Sequence, residues 1–281
     1  MSQVGKSVAD VFNLRIDDAS MHRFKSALAA NYRVTYQEIL DGIVAGPVFH
    51  VDETSVTVRK GGKGYVWVFA ATDKAYYVYK DSREAAFLHD LFRGSSGVLV
   101  SDFFTGYDSL ACPQQKCMVH LMRDINEDLL RNPFNEELKE LAKEFGRLLG
   151  VLIESIDRYG LKRRHLQKHR KAARSFLEAV SSRSFSTEIG ESYQKRFRRS
   201  GEKLFTFLDY DGVPWNNNCA EHAVKAFARY RRYTDGRFTE TSIADYLILL
   251  TVFQTCELSG VNVLRFLLSQ ETGLQSIVRF R

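Results

Sequence analysis

Cysteine is scarce in this chain of 281 residues: there are four, Cys112, Cys117, Cys219 and Cys256, and no two form a Cys-x-x-Cys pair. That excludes a disulfide framework of the kind that staples small secreted domains. With no leader-like stretch at the start, the chain is expected in a reducing, cytoplasmic setting. Long apolar runs are also missing. The longest candidate, Ile243 to Cys256, carries Asp245 and Gln254 and fits a core helix, so no membrane is expected as a partner. Repeats and low-complexity linkers are absent, which excludes solenoids and tail-like segments.

What is present points to a packed protein. Hydrophobic residues make up 44% of the chain, enough for a substantial core. The length suits one large domain, or a core with an insertion. Forty lysines and arginines face 34 acids, a net charge of +6, which favours a polyanionic partner without specifying one.

Periodicity divides the chain into parts. Residues 1–46 read as helical, and Thr35 three residues before Glu38 has the spacing of a capping box. The pattern then becomes β-rich. "GPVFHVDETSVTVRK" is a first strand, "GGKG" from Gly61 to Gly64 a turn, "YVWVFAAT" a second strand, "DK" a tight turn and "AYYVYK" a third. "SREAAFLHDLF" has helical spacing from Ser82, and "GVLVSDFF" suits a buried fourth strand parallel to a neighbour. "QQKCMVHLMRDI" reads as a short fifth strand running into a helix. From 124 to 210 the pattern is helical, with Leu138, Leu141, Phe145, Leu148, Leu152 and Ile156 recurring every three or four residues. From 211 to 281 a helix bearing Glu221 precedes two more, "SIADYLILLTVFQTCEL" and "NVLRFLLSQE".

This order matches an α/β fold of the ribonuclease-H-like kind: a five-stranded mixed sheet flanked by helices. Its first core part spans 47–123, an all-α insertion spans 124–210, and 211–281 completes the core. Asp52 lies in the first strand and Asp102 ends the fourth, and these strands are neighbours in that topology. Buried carboxylates are costly unless paired or bound to a cation. Hard oxygen donors favour magnesium or manganese, and Glu221 is the candidate third ligand. Side chains alternate along a strand, so only one of Asp52 and Glu53 can join Asp102, and spacing alone does not choose.

Five motifs in order, "HVDETSV", "GYVWVF", "SDFFTGYDSL", "CMVHLMR" and "PWNNNCAEHAVK", together resemble the catalytic core of the insertion-sequence-66 group of bacterial transposases. The resemblance runs from about Phe49 to Gln270. It places the first acid of a DDE triad on Asp52 rather than Glu53, the second on Asp102 and the glutamate on Glu221. It implies metal-dependent DNA cleavage and strand transfer with two Mg2+ or Mn2+ ions per site. The implied partners are DNA, both transposon ends and target, within a homodimer or larger synaptic complex, together with accessory element-encoded proteins. The chain departs from the group at Asn216 and His222, where an acid and an arginine are usual. Two alternatives stand beside this expectation: a nuclease or resolvase that cuts without joining, and a non-catalytic DNA-binding fragment.

The remaining candidates concern DNA contact. The paired asparagines of the group fall on Asn217 and Asn218, and Trp215, in a loop before the helix, is placed either to stack on a base or to pack over the helix start. Lys225, Arg229 and Arg232 follow Glu221 at helical steps and share a face suited to phosphates. The resemblance adds His120 and Arg123 near the second aspartate, to contact phosphate or to brace the site. In the insertion, Lys162, Arg163, Arg164, Lys168, Arg170, Lys171 and Arg174 surround their helix too fully to define one face. Cys117 and His120 make half a zinc site and Cys112 is a third candidate, but no fourth ligand follows, so structural zinc is not expected.

Overall fold

The structure, a computed structural model, describes residues 3–59, 62–234, 236 and 238–280. The chain opens with α1 (Gln3–Phe12), α2 (Asp18–Asn31) and α3 (Arg33–Val44). Strands β1 (Val48–Val58), β2 (Gly62–Ala71) and β3 (Lys74–Lys80) follow, then α4 (Phe87–Leu91), β4 (Val98–Ser101) and β5 (Gln114–Lys116). A long helical stretch comprises α5 (Met118–Arg131), α6 (Glu136–Tyr159), α7 (Arg163–Leu166), α8 (Arg170–Ser182) and α9 (Glu188–Leu204). The chain closes with α10 (Asn218–Thr234), α11 (Glu240–Leu258), α12 (Val263–Leu268) and α13 (Leu274–Arg279). No helix among the described residues is long and apolar enough to cross a membrane.

The five strands form one mixed sheet in the order β3-β2-β1-β4-β5, with helices flanking it, as the ribonuclease-H-like expectation required. β2 and β3 are antiparallel, with Ala71 paired to Lys74. The tight turn is therefore Thr72–Asp73, one residue earlier than expected. β4 is parallel to both β1 and β5. β2 begins at Gly62, inside the expected "GGKG" turn, whose Gly61 lies outside the described residues.

The contacts divide the chain into two compact units, Met1–Val44 with Asp52–Glu84 and Cys219–Arg281, and Ala45–Val51 with Ala85–Asn218. In the first, Val56, Val66, Val68 and Tyr77 pack with Phe227, Ile243 and Leu247. Val56 alternates with more exposed neighbours along β1, whereas Val66 and Val68 lie in a run of β2, Val66 to Ala70, that is buried throughout. In the second, Leu138, Leu141, Phe145 and Leu152 of α6 join Val98 and Val100 of β4 and Phe197 of α9. Burying each such side chain contributes about 1.5–3 kcal/mol. Asn135 caps α6 by accepting from the Leu138 N–H at 2.9 Å, and Gly160, at φ 69°, ends the helix in a conformation that favours glycine.

Three local expectations are corrected. Helix α3 starts at Arg33, so Thr35 lies inside it, and the Thr35/Glu38 pair caps a different helix. Thr35 Oγ1 accepts from Gly273 N at 2.9 Å and Glu38 Oε2 from Leu274 N at 2.6 Å, at the start of α13. The helix expected from Ser82 is cut to Phe87–Leu91, and Ala86 at its start supplies no side-chain cap. The final helix "NVLRFLLSQE" is likewise short, Val263–Leu268.

Within the second unit, one carboxylate joins two helices. Glu137, in the first turn of α6, accepts from Thr187 Oγ1 (2.6 Å), Thr187 N (3.1 Å), Ser186 N (2.8 Å) and Ser186 Oγ (2.9 Å) at the start of α9. The Thr187 hydroxyl bond, followed by the Ser186 bonds, holds its pKa down at about 2, against an ordinary 4.5. Its folded pKa is depressed, so its contribution is complete above pH 4.5 and is lost as pH falls toward about 2. The variant Glu137→Gln is expected to flatten the dependence of the urea midpoint on pH across that window. An unchanged acid limb would show that Glu137 does not couple the two helices.

Candidate active site

The second unit carries the strand junction. Val48, Phe49 and His50 of β1 pair with Val98, Leu99 and Val100 of β4, an offset of fifty residues. Gly97 allows this approach: a Cβ there would sit 2.4 Å from the Gly46 carbonyl oxygen. Asp52 and Asp102 each follow the last of these pairs by two residues.

Asp102 stands just past β4, half-buried. Its Oδ1 accepts from Phe104 N at 2.9 Å, and the Ser101 hydroxyl donates to its backbone oxygen at 3.0 Å. Beside it, Ser101 is paired in register with Lys116 of β5. Lys116 is almost wholly buried and donates from Nζ to Ser101 Oγ at 3.2 Å. It pairs with Asp108 at 3.4 Å, and Lys203 reaches the same carboxylate at 3.0 Å. Burial lowers the Lys116 pKa, and the charges of Asp108 and Asp102 oppose that shift. A buried cation at the end of β5, felt by Asp102, was not legible as a site residue in "PQQKC".

A second buried element ties this unit together. Asn217, expected to touch DNA, is fully buried and cannot do so in this fold. Its Nδ2 donates to Val51 O at 3.0 Å, its Oδ1 meets His50 Nδ1 at 2.9 Å, and its backbone N–H donates to Cys117 Sγ at 3.3 Å. The bond to Val51 orients the amide, so His50 Nδ1 carries the proton. Burial, opposed only by the Asn217 bond, lowers the His50 pKa to about 4 and keeps the ring neutral near pH 7. Asn217 thus holds β1 at the two residues before Asp52. The Cys117 thiol accepts a backbone bond here, and Cys117 precedes α5 by one residue.

Of the two readings of Trp215, the structure selects packing. The residue is half-buried against the core of the second unit, and its carbonyl accepts from Met118 N at 2.9 Å. The indole is therefore a packing residue rather than an exposed platform. Asn218 and Arg123 are exposed, while His120, in the first turn of α5, is half-buried. Asn216 Oδ1 accepts from Asn218 N at 3.2 Å, giving α10 a side-chain bond at its start.

The first unit carries Asp52, Glu53 and Glu221, and it separates the two neighbouring acids. Arg83 grips the Glu53 carboxylate through Nε at 2.8 Å and through Nη2, and that side chain is 2% exposed. Glu53 is thereby committed to an ion pair. Asp52 Oδ1 accepts from Glu53 N at 2.8 Å, so in both aspartates one carboxylate oxygen is held by a backbone N–H.

Helix α10 is anchored on its apolar face. Ala223 and Phe227 enter the core, and the Tyr77 hydroxyl donates to Ala223 O at 2.9 Å. Arg231 donates to Thr54 Oγ1 at 2.7 Å and to Ser55 O of β1. Tyr230 stacks on Tyr246 of α11, with ring centroids 4.0 Å apart. Glu221 is half-buried near the helix start, and Lys225, Arg229 and Arg232 are all exposed.

The family model "Transposase IS66 family" matches residues 5–243. No curated protein matches the chain.

Proposed function

The chain belongs to the IS66 family of transposases, and we propose that it cuts and joins DNA by a DDE mechanism centred on Asp52, Asp102 and Glu221. The observation that carries the proposal is the β1–β4 register: the offset of fifty residues that pairs His50 with Val100 also separates the two aspartates. The commitment of Glu53 to Arg83 supports Asp52 as the strand acid of the triad.

The donor set fits the metals the family implies. Three carboxylates with hard oxygens suit magnesium or manganese. When bound, two such ions activate the attacking oxygen and stabilise the departing one in phosphodiester chemistry. The protein's own residues set the donors. The backbone N–H groups of Glu53 and Phe104 orient Asp52 and Asp102. Asn217 fixes the strand ahead of Asp52, and Tyr77 fixes the helix that carries Glu221. Lys116, buried at the end of β5 and bonded to Ser101, places a positive charge near Asp102.

The exposed Lys225, Arg229 and Arg232 then serve as a phosphate track along α10, which exposed Asn218 begins; exposed Arg123 is a further phosphate contact, and His120 braces the start of α5. In the reaction, water cleaves the phosphodiester to free a 3′ hydroxyl. That hydroxyl attacks target DNA and displaces a strand, with no covalent protein–DNA bond. The substrates are transposon ends and target, brought together by a homodimer or larger synaptic complex with accessory element-encoded proteins.

Supplying pre-cleaved ends, target duplex and Mg2+ is expected to yield joined products, and EDTA is expected to prevent them. Cleavage without joining would identify a nuclease or resolvase. DNA binding with neither product, in Mg2+ and in Mn2+ alike, would overturn the catalytic reading.

A further inference from the structure

The turn from α6 into α8 holds a run of one-signed charge that the proposed site does not use. From Arg158 to Arg174 the sequence carries eight lysines and arginines and no acid. All eight are exposed. Among the described residues only Arg170 of the eight is ion-paired, to Asp209 at 2.8 Å. Folding therefore gathers like charges without neutralising them, an arrangement that costs self-repulsion unless an anion is bound.

The elbow is also held in shape. Tyr159 and His165 stack with ring centroids 4.5 Å apart and planes 16° apart, and Lys168 lies 5.4 Å from the Tyr159 ring. Gly212 N–H donates to Leu161 O at 2.8 Å, and Arg163 N–H to Asp211 Oδ1 at 2.8 Å. Lys162, Arg163, Arg164 and Gln167, with Asp211, line an open concavity of about 410 Å³. Guanidinium forks suit phosphate oxygens, and the ordering of long side chains is partly met in advance.

From this geometry we infer that the elbow is a docking surface for the sugar-phosphate backbone of duplex DNA, gripping it by charge without reading bases. An anionic membrane would need an apolar anchor, and Leu166, the apolar residue of α7, is fully buried. The inference rests on the proposal that DNA is the substrate, but it assigns a contact in the helical insertion that the triad does not require.

The test is anisotropy binding of the full chain to a random-sequence duplex in EDTA, over a series of salt concentrations. The quadruple variant Lys162→Gln, Arg163→Gln, Arg164→Gln, Lys168→Gln is expected to weaken binding by about tenfold or more. Its slope of log affinity against log salt should be shallower by about 3–4, at roughly 0.9 per phosphate contact. Arg163→Lys with Arg164→Lys should keep the wild-type slope. Should the quadruple variant unfold, Lys162→Gln with Lys168→Gln should still make the slope shallower by about 2. Wild-type binding with an identical slope in the folded variants overturns the elbow alone. A wild-type chain that binds no duplex overturns the elbow together with the DNA reading beneath it. Competition by polyglutamate as effective, charge for charge, as by duplex overturns the choice of DNA as partner.

Discussion

Replacing Asp102 by asparagine is expected to lower divalent-metal-dependent DNA cleavage by roughly three orders of magnitude or more, about 4 kcal/mol of barrier. The substitution exchanges one carboxylate oxygen for an amide nitrogen and removes the charge. Shape is kept, and the remaining oxygen still accepts from Phe104 N, the bond that now fixes Oδ1. Lys116 loses the nearby charge of Asp102 but keeps its ion pair with Asp108 and its bond to Ser101. The fold should therefore survive, with a thermal midpoint within a few degrees of wild type, as about 1 kcal/mol or less would give. Cleavage of labelled transposon-end DNA in Mg2+, read beside a thermal melt, separates the two effects. A folded variant with wild-type cleavage would remove Asp102 from the chemistry and with it the DDE assignment.

The second large effect is expected at Asn217, through stability and positioning rather than contact with DNA. In Asn217→Ala the Val51 carbonyl and the His50 N–H lose their partner inside a buried site. Each buried polar group left unsatisfied costs about 1–3 kcal/mol, so a loss of roughly 2–5 kcal/mol is expected in urea unfolding. Cleavage should fall as well, at a temperature where the variant is still folded, because β1 is no longer held just before Asp52. Asn217→Asp keeps the shape and an acceptor toward His50 but removes the donor to Val51, so it should recover only part of the loss. Exposed Asn218 is the control: Asn218→Ala should change stability by about 0.5 kcal/mol or less. Equal, small effects at both positions would contradict the buried strut.

The two asparagines show why neighbouring letters carry different amounts of information. Adjacent and identical in type, Asn217 and Asn218 read alike in sequence, yet one is sealed in the core and the other meets solvent. The same holds for Asp52 and Glu53. Strand alternation says they face opposite ways, but which acid is committed elsewhere depends on Arg83, thirty residues later. Trp215 was unreadable for a related reason: a large aromatic in a loop fits both a stacking platform and a packing plug, and only the neighbouring core distinguishes them. Thr35 and Glu38 have capping spacing and do cap a helix, but α13, more than two hundred residues away in sequence, is the helix they serve.

Sequence alone determined the features whose physical signal repeats along the chain. β-branched and aromatic residues in "YVWVFAA", bounded by turn residues, set β2, the three-and-four spacing of leucines set α6, and turn residues and strand–helix order led to the mixed sheet. Five motifs in order led to the family, and the steps after Glu221 placed Lys225, Arg229 and Arg232 on one helix face. Tertiary structure alone decided which side chains are satisfied by distant partners: Glu53 by Arg83, Asn217 by His50 and Val51, Lys116 by Ser101 and Asp108. Periodicity follows from local backbone geometry and is written in neighbouring residues. The partner of a buried polar group follows from where the chain returns in space, and burial makes that pairing obligatory without leaving a mark on the residues beside it.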